Sequence, residues 1–317
     1  MSHRNYNDVR VEGKTIGRGM RESENRYEAI REFCGRYSRP ISVLDLGAGE
    51  GYFTIRLSED FEGVFVAIES DGRRGLLDIL ERNGDPNILL LESRLDFQGL
   101  KAIKSVQHFD VVLALNVVHH FNDPFQEVLD VIMSMCSYCF FEHPSGGEDL
   151  SGKNQRRVRK EPLSFEGLDP QHLLSTPWRR NSEKLRDLWL LSNRGPKTID
   201  RRWSGGAWYP PDKRISVLSD FDHIGVNYTH RAEERDWVQG LDLRTFLEWG
   251  GSYPGREKII GMLRDAGSEG AVDLVPNNVI LTGSGLEYID QVEWAPDYTP
   301  TSVTELVLYL DSRGWDL

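Results

Sequence analysis

Residues 43–51 read VLDLGAGEG, an apolar run that closes on Asp45 and then on glycines at alternate positions, Gly47, Gly49 and Gly51. Glycine lets a backbone approach a ligand where a side chain would clash. The spacing G-x-G-x-G lacks the third glycine of a dinucleotide loop, G-x-x-G on from Gly49,. An acid directly before the loop sits badly beside a pyrophosphate and well beside a cationic ligand. A second acid, Glu69, is placed to accept hydrogen bonds from a ribose diol. Two further groups have the types for proton transfer: the pair His119 and His120, and Glu142 with His143. Histidine titrates near neutral pH, as a general base requires.

The elements that carry these residues alternate. Helix-like segments at 23–37, 52–60, 72–83, 98–106 and 123–136 separate apolar runs at 41–46, 63–70, 87–93, 109–116 and 137–144. The last helix is expected to start with Asp123 as its cap and Pro124 as its first residue. Such alternation predicts a doubly wound, mostly parallel α/β sheet of Rossmann-like type with helices on both faces. Ligands bind such sheets outside the carboxyl ends of the strands. The groups Asp45 to Gly51, Glu69 with Ser70, 93–96, Asn116 to His120, and Glu142 with His143 are therefore expected along one edge. LLSTPW (173–178) and LRDLWLLSN (185–193) are expected to finish the sheet as an antiparallel hairpin. The pattern changes near residue 200. The chain is read as a ligand-binding domain over 1–199 and a smaller α+β unit over 200–317.

Composition sets the bounds. An apolar fraction of 39% over 317 residues is enough for a substantial core,. A net charge of −12 disfavours a broad nucleic-acid surface, although 153–160 forms a basic island,. No apolar run has the length of a membrane span and no signal core opens the chain, so the sequence reads as cytoplasmic. Cys136 and Cys139 form a lone C-x-x-C, read as two small buried residues rather than a redox or zinc pair. His119, His120, Glu142 and His143 match no metal-ligand spacing, and no metal is expected.

Four segments in order carry a resemblance. VLDLGAGEGYF (43–53), VAIESD (66–71), LESRLDF (91–97) and FDVVLALNVVHHFNDP (109–124) are similar to the successive motifs of class I S-adenosylmethionine-dependent methyltransferases. The resemblance covers roughly residues 21–143. It implies S-adenosyl-L-methionine as methyl donor, with Gly47, Ala48, Gly49 and Gly51 along its methionine part and Asp45 orienting the loop or the amino group. It implies Glu69, beside Ser70, on the ribose, Arg94 and Leu95 at the adenine, and Asn116 and Val117 closing over the donor. Arg21 would meet its carboxylate. His120, then His119, then Glu142 would be the catalytic candidates.

The tetrapeptide NVVH (116–119) departs from the N/D-P-P-Y pattern of DNA base methylation. A fainter resemblance links the V-x-H-H turn and the LWLLSN strand to surface-polysaccharide methyltransferases, some of them fused to a kinase. The acceptor is therefore expected to be a glycan or small molecule, methylated on oxygen, with RNA as the alternative. VDLVPNNVILTGSGLEYID (272–290) is similar to a kinase catalytic loop, with Asp273, Asn278 and Asp290 at the matching places. No paired Lys and Glu or phosphate loop precedes it, so a remnant is expected. A non-catalytic cofactor-binding scaffold and an active phosphotransferase are the remaining alternatives.

Overall fold

A computed structural model describes residues 5–70, 75–84, 88–144, 163–180, 182–193, 195–199, 215–228, 239–248, 251–252, 261, 279–282, 286–288 and 312. The basic island at 153–160 and the kinase-like Asp273, Asn278 and Asp290 lie outside these residues.

An N-terminal hairpin of β1 (Val9–Val11) and β2 (Lys14–Gly17) precedes helix α1 (Glu24–Cys34). Then strand and helix alternate: β3 (Ile41–Leu46), α2 (Tyr52–Asp60), β4 (Gly63–Ile68), α3 (Leu76–Asn83), β5 (Ile88–Leu91), α4 (Phe97–Val106), β6 (Phe109–Leu115), α5 (Phe125–Met135) and β7 (Cys136–Glu142). Strands β8 (Asp169–Pro177) and β9 (Leu185–Ser192) form the expected antiparallel hairpin. Beyond them come β10 (Lys197–Ile199), β11 (Ile215–Ser219) and β12 (Ile224–Tyr228), which form a three-stranded antiparallel sheet. Another joins β13 (Leu241–Asp242) to β15 (Val279–Leu281) and β16 (Leu286–Tyr288). Helix α6 (Leu243–Glu248) and the short strand β14 (Gly251–Ser252) lie between β13 and β15.

The main sheet has eight strands in the order β14-β5-β4-β3-β6-β7-β9-β8. The five central strands run parallel; β9, β8 and β14 are antiparallel to their neighbours. The doubly wound class expected from the alternation is the one observed. The order runs outward from β3 in one direction and from β6 in the other, so β3 and β6 flank the switch point where such sheets hold ligands. Both faces are covered. Leu44, Val66, Val112 and Phe141 pack toward α4 and α5, while Val43, Phe65, Val111 and Phe140 pack toward α1, α2 and α3. This is why the central strands read as continuous apolar runs. Among the described residues no helix is long and apolar enough to cross a membrane.

One helix start differs from expectation. Pro124 (φ −53°, ψ 133°) is itself the cap residue, and α5 begins at Phe125. The Pro124 carbonyl accepts the Val128 N–H at 3.1 Å. With its ψ extended, proline supplies the first acceptor of the helix from outside it, and Asp123 falls one place too early to cap.

Residues beyond 200 join this core. Leu241, Phe246, Val279 and Leu281 share the cluster of Leu91 and Leu100. β14 pairs with β5 through Gly251 and Leu91. At the start of the central strand β6, Asp110 accepts from Arg39 at 2.7 and 3.0 Å, from the Ser42 N–H at 2.8 Å, and from the Ser219 hydroxyl. Burial would push this carboxyl up, but Arg39 and these donors hold it below the ordinary range. Phe221 stacks on Tyr138, with ring centres 5.4 Å apart.

Gly63 opens β4 at φ +154°, and a Cβ there would meet the Ile41 carbonyl oxygen at 1.9 Å. Gly63→Ala is expected to lower unfolding stability by about 3 kcal/mol through backbone strain and a main-chain clash. Urea unfolding measures it, and a loss within about 0.5 kcal/mol, the range of neutral surface changes, would contradict the packing described.

Candidate functional site

The glycine loop leaves β3 at the switch point. Gly47, Gly49 and Gly51 have φ of +70°, +64° and +72°, the left-handed region that favours glycine,. The Gly47 and Ala48 N–H groups donate to the Ile68 carbonyl at 2.8 and 3.0 Å, which folds the loop against the end of β4. Gly51 is the residue from which α2 starts. A Cβ on Gly47 would lie 3.0 Å from Cγ2 of Val117. The bare backbone is therefore what allows the segment after β6 to close down on the loop.

Two acids sit under this loop. Asp45 is buried and accepts the Thr54 hydroxyl at 2.6 Å. Burial, with the charge of Glu69 adding, pushes its carboxyl up to about 7 against the opposing Thr54 hydrogen bond. Glu69, at the end of β4, accepts the Gly49 N–H and the Ser70 N–H, each at 2.8 Å, one on each oxygen. It thereby fixes the loop. A carboxylate carries about four lone-pair sites, so each oxygen can accept from more than one donor. Ser70 is exposed beside it, and past β5 Arg94 is exposed while Leu95 packs on the core.

The segment after β6 supplies the facing wall. Asn116 takes φ +67°, tolerated by asparagine more than most residues,. Its N–H donates to the Glu142 carbonyl at 2.8 Å and its Nδ2 to the Tyr6 hydroxyl at 3.0 Å. Its Oδ1 is buried and has no hydrogen-bond partner among the described residues. Val118–His120 form a 3-10 turn in which His119 is buried and His120 exposed, with ring centres 4.0 Å apart. His143 stacks on Phe141 and lies 6.1 Å from His119.

Glu142 belongs elsewhere. Side chains alternate along a strand, so Glu142 faces α1 with Tyr138 and Phe140, while His143 shares the other face with Phe141. The Glu142 carboxylate is buried and paired with Arg21, with Arg26 at 3.2 Å, and with Arg186 at 3.7 Å. Burial pushes this carboxyl up, but the guanidiniums outweigh it and hold Glu142 below its ordinary range. A carboxylate so held is a poor proton acceptor, unlike the catalytic role expected from its place at a strand end. Arg21 is likewise buried and turned to Glu142, to the Thr176 hydroxyl at 3.2 Å and to Tyr6 at 3.3 Å.

The structure thus gathers Asp45, Gly47 to Gly51, Glu69, Asn116 and Val117 around one loop, with His119 and His120 on the turn that follows. It adds residues not singled out in the sequence: Tyr6, Glu50, Arg26 and Arg186. Two of these had a readable signal. Arg26 lies on the α1 face of Ile30 and Phe33, and Arg186 on the β9 face of Leu188 and Leu190. A charge on an otherwise apolar face needs a buried partner. Cys136 and Cys139 are buried thiols on β7, with Cys136 pushed up to about 12 by burial and Cys139 raised well above its ordinary value.

Fold and loop together define a doubly wound α/β protein with a glycine loop at its switch point. Among solved structures the chain is similar to the bifunctional kinase-methyltransferase WbdD, at 17% identity over 98% of this chain and 84% of that one, with a TM-score of 0.49. It is also similar to the N-terminal domain of EvdMO1 with SAH bound, at 19% identity over 60% of this chain and 91% of that one, with a TM-score of 0.40. Neither protein-family models nor curated proteins give a match.

Asp45 gives a pH signature. Its carboxyl ionises near pH 4 in the unfolded chain and near 7 in the fold. The unfolded state therefore releases its proton first, and this group's contribution to stability falls as pH rises from about 4 to 7. Relative to the parent, Asp45→Asn is expected to gain about 2–3 kcal/mol in unfolding stability between pH 5 and pH 8. A difference independent of pH, in denaturant melts at both values, would contradict the burial of a proton-holding Asp45.

Proposed function

We propose that the protein is an S-adenosylmethionine-dependent methyltransferase that methylates an oxygen of a glycan or small-molecule acceptor. The observation that carries this reading is the loop of three left-handed glycines at the switch point with Asp45 and Glu69 beneath it. Acids there suit a cationic sulfonium ligand and a ribose diol; a pyrophosphate would be repelled. The unpartnered Asn116 Oδ1 suits an ammonium group. The donor supplies a methyl group on a sulfonium, a good leaving group.

The chain's residues have the following roles in this reading. Gly47, Ala48, Gly49 and Gly51 line the methionine part. Glu69, with Ser70 beside it, binds the ribose hydroxyls, Arg94 and Leu95 border the adenine, and Asn116 and Val117 close the site. Asp45 acts through the loop it underlies. Arg21 braces the wall beside the donor through Glu142 and Tyr6. His120, exposed and backed by the buried His119, accepts the acceptor's hydroxyl proton as its oxygen bonds the methyl carbon and the carbon–sulfur bond breaks. Positioning in line supplies most of the rate. Residues 1–199 hold this chemistry, and the part beyond 200, which shares their core, helps bind the acceptor.

Incubation with methyl-labelled S-adenosylmethionine and fractionated cell material tests the reading. Label is expected in a saccharide or small-molecule fraction, with His120→Ala lowering the rate by about a hundredfold or more while binding of S-adenosylhomocysteine is kept. Label in no fraction, or only in RNA, would contradict the assigned acceptor class. An unchanged rate in His120→Ala would remove it as the base.

A further inference from the structure

Residues 6 and 7 are tied directly to the glycine loop. Glu50, between Gly49 and Gly51, is buried, and its two oxygens accept the Tyr6 N–H at 2.7 Å and the Asn7 N–H at 2.9 Å. The Tyr6 hydroxyl accepts from Asn116 at 3.0 Å and from Arg21 and Arg186 at 3.3 Å each. The Asn7 side-chain oxygen accepts from Ser23 at 2.9 Å and Arg26 at 3.2 Å. Two residues therefore bridge the loop, the end of β6, the start of α1 and strand β9.

We propose that residues 5–8 are a strap that closes over the donor held by the glycine loop, with Glu50 as its latch and Tyr6 as a positioning residue. The proposal rests on the methyltransferase reading. Its physical basis is that Glu50 is itself part of the loop. Its neighbours Gly49 and Gly51 both hold left-handed φ, and the Gly49 N–H is bound by Glu69. Any ligand that fixes this backbone also fixes where the Glu50 carboxylate stands, and so where the Tyr6 and Asn7 amides are held. A hydroxyl offers two lone pairs and one proton. Three N–H donors converge on Tyr6, so its oxygen serves as their shared acceptor and sets the Asn116 amide relative to Arg21 and Arg186. Seating Tyr6 thereby orients the Asn116 side chain, whose other atom, Oδ1, has no hydrogen-bond partner among the described residues. Binding of the donor and seating of the strap are then one coupled event.

Hydrogen–deuterium exchange of the full chain tests this, with S-adenosylhomocysteine as the probe and peptides spanning 5–9 and 44–51 as the readout. The parent is expected to show slower exchange in both peptides when the probe is bound. Glu50→Gln is expected to bind the probe about tenfold more weakly, as losing charge-assisted bonds implies, and at saturation to protect 44–51 but not 5–9. Tyr6→Phe, which leaves the amide latch intact and is the safer variant for folding, is expected to release the probe about tenfold faster with an unchanged circular dichroism spectrum. Protection of 44–51 in the parent with unchanged exchange at 5–9 would overturn the strap and leave the donor site standing. Parent-like release rates in both variants would do the same. Protection of neither peptide would overturn the donor site and the strap together.

Discussion

The carboxylate of Glu142 fixes the geometry on which the candidate site depends. It ends β7, takes Arg21 from the segment before α1, Arg26 from α1 and Arg186 from β9, while its own carbonyl receives the Asn116 amide at the end of β6. Burying one such carboxylate costs several kcal/mol, and only close pairing with several donors returns that energy. Removing the carboxylate would leave three guanidiniums uncompensated in the interior,. Few arrangements of α1, β6, β7 and β9 satisfy all four groups. The ion cluster therefore contributes specificity of placement more than net stability.

That placement is what the switch point requires. The glycine loop after β3 and the Asn116 turn after β6 must face each other across the sheet edge. The loop is held from one side by Glu69 through the Gly49 amide, and the turn from the other by Glu142 and Tyr6. Val117 then meets the bare backbone of Gly47. Charge is divided between the two sides. The Glu69 carboxylate lies beneath the loop, and the guanidiniums stand behind Asn116. A ligand with a cationic centre and an anionic end matches that division, as the amino-acid portion of a sulfonium donor does.

Much of this was legible in the sequence because it is local. Alternating apolar runs and amphipathic segments give the central strands, and G-x-G-x-G names the loop. The antiparallel hairpin of β8 and β9 followed from two apolar runs around a charged turn. What was not legible depends on contacts far apart in the chain. Glu142 reads as a free acid at a strand end, and its partners lie 116 and 121 residues earlier. Arg26 and Arg186 break apolar faces, which signals a buried partner without saying which. Gly251–Ser252 adds a strand to the sheet edge through two residues, too few to leave a pattern. The strap at Tyr6 and Asn7 depends on main-chain amides, which every residue but proline carries.

In the proposed function the loop at 47–51 and the carboxylate of Glu69 form a site for a sulfonium nucleoside. Calorimetric titration of the full chain with S-adenosylhomocysteine, beside a Glu69→Gln variant of parent-like thermal stability, tests it most directly. One site per chain is expected in the parent and at least about tenfold weaker binding in the variant, the cost of weakening charge-assisted bonds to a diol and to the loop. Absence of binding in the parent, or equal affinity in the two proteins, would contradict it.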